Sequence, residues 1–283
     1  MKLTTDQFPE PGEETREREK PSSEWRVVGA SVCGTSHQKN QQMCQDAHDW
    51  EILPEGILVA AIADGAGSAS MGKIGAIVAS SVAVKSICLQ ELTLQQLDSD
   101  DQVRWLLTNA LLTAKIAVEE EALASSKQPR DLASTLIILI ATPSLAAAAQ
   151  IGDGAVVAKD TEGNLITLTK PQSGEYINET TFLISPDALD TAQVNLWRQP
   201  VANVAALTDG LQMLALDMAV GVPYKPFFSP LFEFATRQTD QSAAVEQLVT
   251  FLRSERVAQR TDDDLTLLLA GRITPASSEA RAI

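Results

Sequence analysis

The sequence predicts an α+β fold in which two antiparallel sheets are covered by helices. Apolar runs typical of strands occur before and after two long amphipathic helices, and a last helix precedes a last strand. The connections between several of the strands are short, which favours antiparallel pairing because parallel pairing needs a long crossover. This order of elements suits two helix-covered antiparallel sheets better than a regularly alternating parallel sheet.

The first half of the chain is predicted to hold two strands and two helices. The strands are WRVVGASVCG (25–34) and GILVAAIAD (56–64). Apolar residues at helical spacing then predict one helix over 70–91 and a second over 100–125. Asp100 is the expected N-cap of the second helix, because its carboxylate can accept a hydrogen bond from a free amide of the first turn.

The second half is predicted to consist mainly of strands. Turn residues separate the last two strands of a run of four, which supports a hairpin there. A helix is expected over 242–258 and a final strand over 263–272. The four consecutive strands are 133–142, 145–152, 155–160 and 165–169.

One domain is expected over residues 25–272, because no linker-like segment interrupts them. Residues 1–24 are rich in Pro, Glu, Lys and Arg and are expected to form a disordered leader, since they have too few apolar side chains to offset the entropy of ordering. Residues 273–283 are expected to form a flexible tail.

Charge and composition limit the classes of molecule that the protein is expected to bind. The chain has 37 acidic and 22 basic residues and a net charge of −15, which opposes binding to nucleic acid or to an anionic membrane and favours cations. It has neither a membrane-length apolar stretch nor the apolar core of a signal peptide, so a cytoplasmic protein is expected. The three cysteines lack CxxC spacing and are interpreted as reduced and structural. The oligomeric state is left open.

An Asp-Gly pair follows an apolar run three times in the chain. The pairs begin at Asp64, Asp153 and Asp209. A single pair of this kind is most simply a tight turn. Three strand ends that each carry a carboxylate suggest a shared site instead.

A phosphate-binding P-loop is the first alternative for the stretch after Asp64. Gly67, Gly72 and Lys73 fit the spacing G-x-x-x-x-G-K. That motif continues with a Ser or Thr whose hydroxyl binds Mg²⁺, and this chain has Ile74 at that position. The nucleotide-binding reading is therefore set aside.

A carboxylate metal site is the second alternative. If the strand ends converge, the repulsion among their negative charges would be tolerable only with cations bound. Oxygen ligands suit Mg²⁺ or Mn²⁺ better than Zn²⁺, and two such ions can activate a water for in-line phosphoryl displacement. Metal-assisted phosphoester hydrolysis is the predicted chemistry. The candidate residues are Asp46, Asp64, Asp153, Asp209 and the run Asp262, Asp263, Asp264.

Five motifs over residues 25–272 resemble the metal-dependent serine/threonine protein phosphatases of type 2C, especially their bacterial branch. They are GTSHQKNQQMCQDA (34–47), AIADGAGSASMG (61–72), the pair ASTLIILIAT and AQIGDGAVVAKD (133–142 and 149–160), ALTDGLQ (206–212) and DDLT (263–266). The resemblance implies a four-layer α/β/β/α sandwich with two central antiparallel sheets. It also implies a dinuclear Mn²⁺ or Mg²⁺ site in a cleft at one end of the sheets.

The resemblance also implies roles for individual residues. Asp46, Asp64, Asp209 and Asp263 would be the catalytic metal ligands, and Asp64 would bridge both ions. The carbonyl of Gly65 would join one ion, and Asp153 matches the position of a third, looser ion. The substrate would be a phosphorylated protein, hydrolysed at phosphoserine or phosphothreonine.

The chain departs from the family pattern at three positions. Gln41 stands where many members have an arginine that holds the substrate phosphate, so His37, or less favourably Lys39, is the predicted substrate-binding residue. Gln45 replaces a usual glutamate, and Ala66 stands where many eukaryotic members have a histidine. The missing arginine motivates one alternative function, a catalytically inactive module that only binds phosphoproteins. Residues 171–190 lie where the family has a variable flap.

Overall fold

The computed structural model describes residues 25–90, 97–172 and 180–273. These residues form the expected four-layer α/β/β/α sandwich, with two five-stranded antiparallel sheets at its centre. The predicted leader (1–24), residues 274–283 of the predicted tail and residues 173–179 of the predicted flap lie outside the described residues. No helix in the described part of the chain is long and apolar enough to cross a membrane.

Each sheet combines strands from both halves of the chain. The first sheet has the order β1 (Trp25–Val32), β12 (Leu265–Arg272), β9 (Val201–Leu207), β6 (Ala155–Asp160), β7 (Leu165–Thr169). The second has the order β2 (Ala47–Leu53), β3 (Ile57–Ala63), β4 (Leu136–Ala141), β5 (Ala146–Ile151), β8 (Gln193–Trp197). A separate two-stranded hairpin joins β10 (Leu216–Asp217) to β11 (Val222–Pro223).

Helices cover the outer face of each sheet. The short α1 (Thr35–Lys39) follows β1, while α2 (Gly72–Cys88) and α3 (Asp100–Ala124) pack on the second sheet. The first sheet is covered by α5 (Lys225–Arg237) and α6 (Gln241–Leu252). Two single-turn helices, α4 (Gln212–Ala215) and α7 (Glu255–Ala258), complete the described set.

The central strands are apolar at nearly every position because both of their faces are buried. In β3, Leu58 and Ile62 face the other sheet, whereas Val59 and Ala61 face the helices. Side chains of a strand alternate between its two faces, so a strand between two layers cannot show a polar-apolar alternation. This accounts for the continuous apolar runs that predicted the strands.

Several local predictions differ from the structure. Ser99, not Asp100, is the N-cap of α3, and its hydroxyl accepts a hydrogen bond from the amide of Gln102 at 3.4 Å. Strands β2 and β8, the small hairpin and helices α1, α4 and α5 were not predicted, and the helix predicted over 242–258 is divided into α6 and α7. Pro230 argues against a helix at α5, but packing of the apolar face of α5 on the first sheet outweighs it, and Pro226 lies in the first turn, where proline is tolerated.

The connection from β5 to β6 is the most informative difference. A connection of only three residues predicts that the two strands pair antiparallel. In the structure, however, β5 belongs to the second sheet and β6 to the first. The chain crosses between the sheets at 152–154, and Gly152 makes the crossing with a φ of +110°, which a residue with a side chain rarely adopts. Asp153 therefore lies where the two sheets meet.

Candidate metal centre

Five strand ends lie at one end of the sandwich. In the second sheet, the start of β2 pairs with the end of β3. In the first sheet, the starts of β6 and β12 both pair with the end of β9. The aspartates that adjoin these strand ends are Asp46, Asp64, Asp153, Asp209 and Asp263. The strand register thus brings together the carboxylates that the sequence analysis singled out.

Asp46 lies directly before β2 and is 4% exposed. The hydroxyl of Thr208, at the end of β9, donates to its Oδ2 at 2.8 Å, so this contact spans the two sheets. The Oδ1 atom of Asp46 is buried and has no hydrogen-bond partner among the described residues. Burial raises the pKa of Asp46 to about 7, well above its usual value of 3.8.

Asp64 and Asp209 lie against one another in the same cluster. Burial, and then the negative charges of Asp46, Asp209 and Asp263, raise the pKa of Asp64 well above its usual range. Burial, and then the charges of Asp153 and Asp263, raise the pKa of Asp209 to about 7. The Oδ1 atom of Asp209 is also buried without a partner within the described ranges.

The composition of the cluster fits hard divalent cations. Its donors are carboxylate oxygens, and such ligands suit Mg²⁺ or Mn²⁺. In the described part of the chain, no three His, Cys, Asp or Glu side chains are arranged to hold an ion as they stand. Asp64 lies close enough to Asp46, Asp209 and Asp263 for their negative charges to raise its pKa, which is the repulsion that a bound cation would relieve. Buried carboxylate oxygens without donors are the sites that a cation would satisfy.

Asp264 organises the loop that carries Asp46. It is 2% exposed, its Oδ1 accepts from the amide of Gly34 at 2.7 Å, and its Oδ2 accepts from the amide of Gln45 at 2.6 Å. Its own amide donates to Oδ1 of Asp263 at 2.8 Å. In the sequence, Asp264 is distinguished only as part of an acidic run, and the direct continuation of that run into an apolar strand is the one sign that it is buried.

Asp153 is held from two sides. The hydroxyl of Thr180 donates to its Oδ2 at 2.7 Å, and the side-chain amide of Gln212 donates to its carbonyl oxygen. Burial raises its pKa above the usual value. Gln212 directly follows the turn that carries Asp209, so this contact ties the β5–β6 crossing to the end of β9.

The three Asp-Gly pairs need glycine because another backbone passes close by. An added Cβ would meet the backbone of Gly72 at Gly65, the carbonyl of Leu207 at Gly154 and the carbonyl of Asp264 at Gly210. None of these three glycines has a positive φ. The glycines therefore permit close packing of the loops that carry the carboxylates, rather than left-handed turns.

The carbonyl of Gly65 faces the side-chain amide of Gln45. With its nitrogen toward the loop, this amide donates to the carbonyls of Gly65 and Ala66 at 3.0 Å each. A carbonyl oxygen has a second lone pair, so this contact leaves the predicted role of Gly65 open. Lys73, the residue that suggested a P-loop, instead donates to the carbonyl of Cys44 at 2.8 Å.

The two predicted substrate-binding residues have different surroundings. His37, on α1, places its Nδ1 2.9 Å from Oδ1 of Asp264, and its side chain is 14% exposed. Its Nε2 lies near Gly67, in the loop after Asp64. Lys39 is exposed at the end of α1, and no contact within the described ranges joins it to the carboxylates. The structure brings His37, but not Lys39, to the wall of the cluster.

Comparisons with known proteins are consistent with one another. Residues 33–253 match the family model described as protein phosphatase 2C. The chain is 38% identical over 252 residues to serine/threonine-protein phosphatase 3 of Escherichia coli strain K12, and the alignment covers 87% of this chain and 98% of that protein.

Solved structures show the same fold. A bacterial serine phosphatase matches with a TM-score of 0.62 at 12% identity, covering 88% of this chain and 98% of that one. PppA, described as a key regulatory component of T6SS in Pseudomonas aeruginosa, matches with a TM-score of 0.58 at 18% identity, covering 89% and 99%. At these identities the structural similarity establishes the fold alone.

Proposed function

This chain belongs to the protein phosphatase 2C family, and from that premise we propose that it is a metal-dependent protein phosphatase. Its substrates are proteins that carry phosphoserine or phosphothreonine. Two Mn²⁺ or Mg²⁺ ions are its cofactors, and Asp153 serves a third, looser ion. The observation that carries the proposal is the pair of buried carboxylate oxygens, Oδ1 of Asp46 and Oδ1 of Asp209, that have no donor among the described residues.

Each residue of the cluster has a separate task in this proposal. Asp46, Asp64, Asp209 and Asp263 would hold the two ions. When bound, the ions lower the pKa of water toward neutrality and offset negative charge on the phosphoryl oxygens. The remaining side chains position these ligands. Thr208 orients Asp46, Asp264 holds the loop before β2, and Gln212 fixes the crossing that carries Asp153.

Peptides that differ only in the phosphorylated residue test the proposal. In the presence of Mn²⁺, the protein is expected to release phosphate from phosphoserine and phosphothreonine peptides and to lose this activity in chelator. A phosphotyrosine peptide of the same sequence is the control. Activity on phosphotyrosine alone, or none on any peptide at millimolar Mn²⁺, would refute the proposed specificity.

Asp153→Ala is expected to leave folding intact and to lower activity mainly at low metal concentration. The carboxylate serves a loosely held ion, whereas the crossing itself is fixed by the backbone carbonyl that Gln212 contacts. Activity is measured over a Mn²⁺ series, alongside thermal unfolding. Thr180→Val is the matched control, because it removes the hydroxyl donor and keeps the carboxylate. Unfolding of Asp153→Ala, with normal activity per folded molecule, would show that Asp153 is only a turn residue.

His37→Ala is expected to raise KM about tenfold while metal affinity is preserved, the size of effect typical for one charge-assisted hydrogen bond. The basis is the position of His37, whose Nδ1 lies 2.9 Å from Oδ1 of Asp264 and whose Nε2 faces the loop that follows Asp64. Lys39→Ala is the control and should have the smaller effect. Wild-type KM and kcat in His37→Ala would move the phosphate-binding role to another residue.

A further inference from the structure

An apolar surface borders the metal centre on the side of Asp153. We call it the apolar rim, and it consists of α4, the β10–β11 hairpin and the residue that follows. Its members are exposed as follows: Met213 68%, Met218 46%, Val220 60%, Val222 48% and Tyr224 53%. Five exposed large apolar residues within twelve positions form a feature of the kind that marks interaction sites on soluble proteins.

The apolar rim is joined directly to the reaction centre. Its first exposed apolar residue, Met213, follows Gln212, whose side chain donates to the carbonyl of Asp153, and lies four residues after Asp209. A substrate whose phosphate reaches the carboxylate cluster has the apolar rim as a neighbouring surface. The surface is thus continuous with the site where the reaction is proposed to occur.

Hydrogen bonds hold the rim in place on the first sheet. The hydroxyl of Thr167, on β7, donates to the carbonyl of Gly221 at 2.9 Å. The amide of Tyr224 donates to the carbonyl of Ala215 at 2.7 Å, which closes the base of the hairpin. A surface that is already ordered loses less conformational entropy when a partner binds.

The rim continues into a groove on the helical layer. Tyr224 also lines a cavity of about 340 Å³ between α5 and α6, together with aromatic side chains that include Phe227 and Phe251. Arg256 is the charged residue among the side chains that line it. The groove can accept an apolar side chain, which the flat hairpin alone could not enclose.

We propose that the apolar rim is a substrate-docking surface that binds apolar side chains of the phosphorylated protein. This inference rests on the proposed phosphatase function. The protein has a net charge of −15 and gathers five carboxylates at the centre, so charged contacts with acidic partners are unfavourable. Apolar contacts add no repulsion. The preferred substrate is therefore a phosphoserine or phosphothreonine protein with apolar residues, rather than acidic ones, close to the phosphorylated residue.

Two phosphoserine peptides of equal length and charge test this inference. One carries Leu and Val on both sides of the phosphoserine, and the other carries Ser and Gly. Wild-type protein with Mn²⁺ is expected to prefer the apolar peptide in kcat/KM by about tenfold or more, as expected for burying one or two apolar side chains. The triple variant Met218→Gln, Val220→Thr, Val222→Thr is expected to lose this preference and to hydrolyse p-nitrophenyl phosphate at the wild-type rate.

Leu123→Gln is the matched control, since it removes an apolar side chain that is 76% exposed on α3, against the other sheet. It should keep the peptide preference. Equal kcat/KM for both peptides in wild type, or an unchanged preference in the triple variant, would overturn the docking role. If the triple variant lost activity equally on the peptides and on p-nitrophenyl phosphate, the docking role would be overturned as well.

Failure of the phosphatase proposal would be seen separately. In that case wild-type protein hydrolyses none of the three substrates. Fluorescence anisotropy with the same two peptides, labelled with fluorescein, then measures docking without turnover. Tighter binding of the apolar peptide, lost in the triple variant, supports the docking surface, and equal binding of the two peptides contradicts it.

Discussion

Asp64→Ala is expected to abolish binding of two Mn²⁺ ions and to lower kcat by about three orders of magnitude or more, because the proposed ions supply several kcal/mol of transition-state stabilisation. Asp64 is buried, and the negative charges of Asp46, Asp209 and Asp263 all act on it. Without its carboxylate, the cluster would have one negative charge fewer to offset the repulsion between two bound cations. The remaining carboxylates cannot replace a ligand in the middle of the cluster.

Calorimetric titration with Mn²⁺ and turnover of p-nitrophenyl phosphate measure the two parts of this prediction. Asp101→Ala is the control, because Asp101 is an exposed aspartate in the first turn of α3. It should retain wild-type stoichiometry and rate. If Asp64→Ala retains them too, the two-ion site does not include this residue and the dinuclear mechanism fails.

The metal-free protein is expected to lose stability as pH rises from about 4 to about 7. Asp46 and Asp209 have pKa values of about 7 in the folded protein, mainly because they are buried, against a usual value of 3.8. The folded state therefore binds more protons than the unfolded state in this range. The stabilising contribution is fully present below pH 3.8 and is lost as pH rises through about 7.

Thermal unfolding in chelator between pH 4 and pH 7 measures this loss of stability. Saturating Mn²⁺ should restore the stability at pH 7. Asp209→Asn should flatten the pH dependence, since the amide is close in shape and carries no charge. Asp101→Asn is the matched control and should behave as wild type. A melting temperature that stays constant or rises between pH 4 and pH 7 in chelator would contradict the raised pKa values of Asp46 and Asp209.

The fold was predictable where burial leaves a clear pattern. Strand β3 is buried on both faces, so its apolar run was visible in the sequence, and the paired motifs implied the four-layer arrangement that the structure has. Strand β2 is partly exposed and carries His48, Asp49 and Glu51, so its composition resembles that of a loop. Helix α5 buries Phe228, Leu231, Phe232 and Ala235, and this helical spacing could have predicted it despite Pro230 in its interior.

The candidate site was partly predictable for similar reasons. Repetition of the Asp-Gly pair identified Asp64, Asp153 and Asp209, although the reason for each glycine, a backbone passing nearby, depends on contacts between distant segments. The positions of Thr208 and Asp264 could not be inferred, because each acts across the sheets on a residue far away in sequence. Periodicity reports burial within one element and carries no information about such contacts.

The alternative of a binding module without activity rests only on Gln41, which replaces the phosphate-binding arginine of many relatives. Nothing in the described residues favours that alternative. Asp46 and Asp209 keep buried oxygens without partners, an arrangement that is unfavourable unless cations are bound. A protein that only bound phosphoproteins would have no need of it.

Hydrolysis of p-nitrophenyl phosphate by chelator-treated wild-type protein, titrated with Mn²⁺, tests the central claim most directly. The claim is that the carboxylate cluster is the metal centre of a phosphatase. We expect no turnover in chelator and a rate that rises with Mn²⁺ to saturation. Turnover that persists in chelator, or none at any Mn²⁺ concentration, would contradict it.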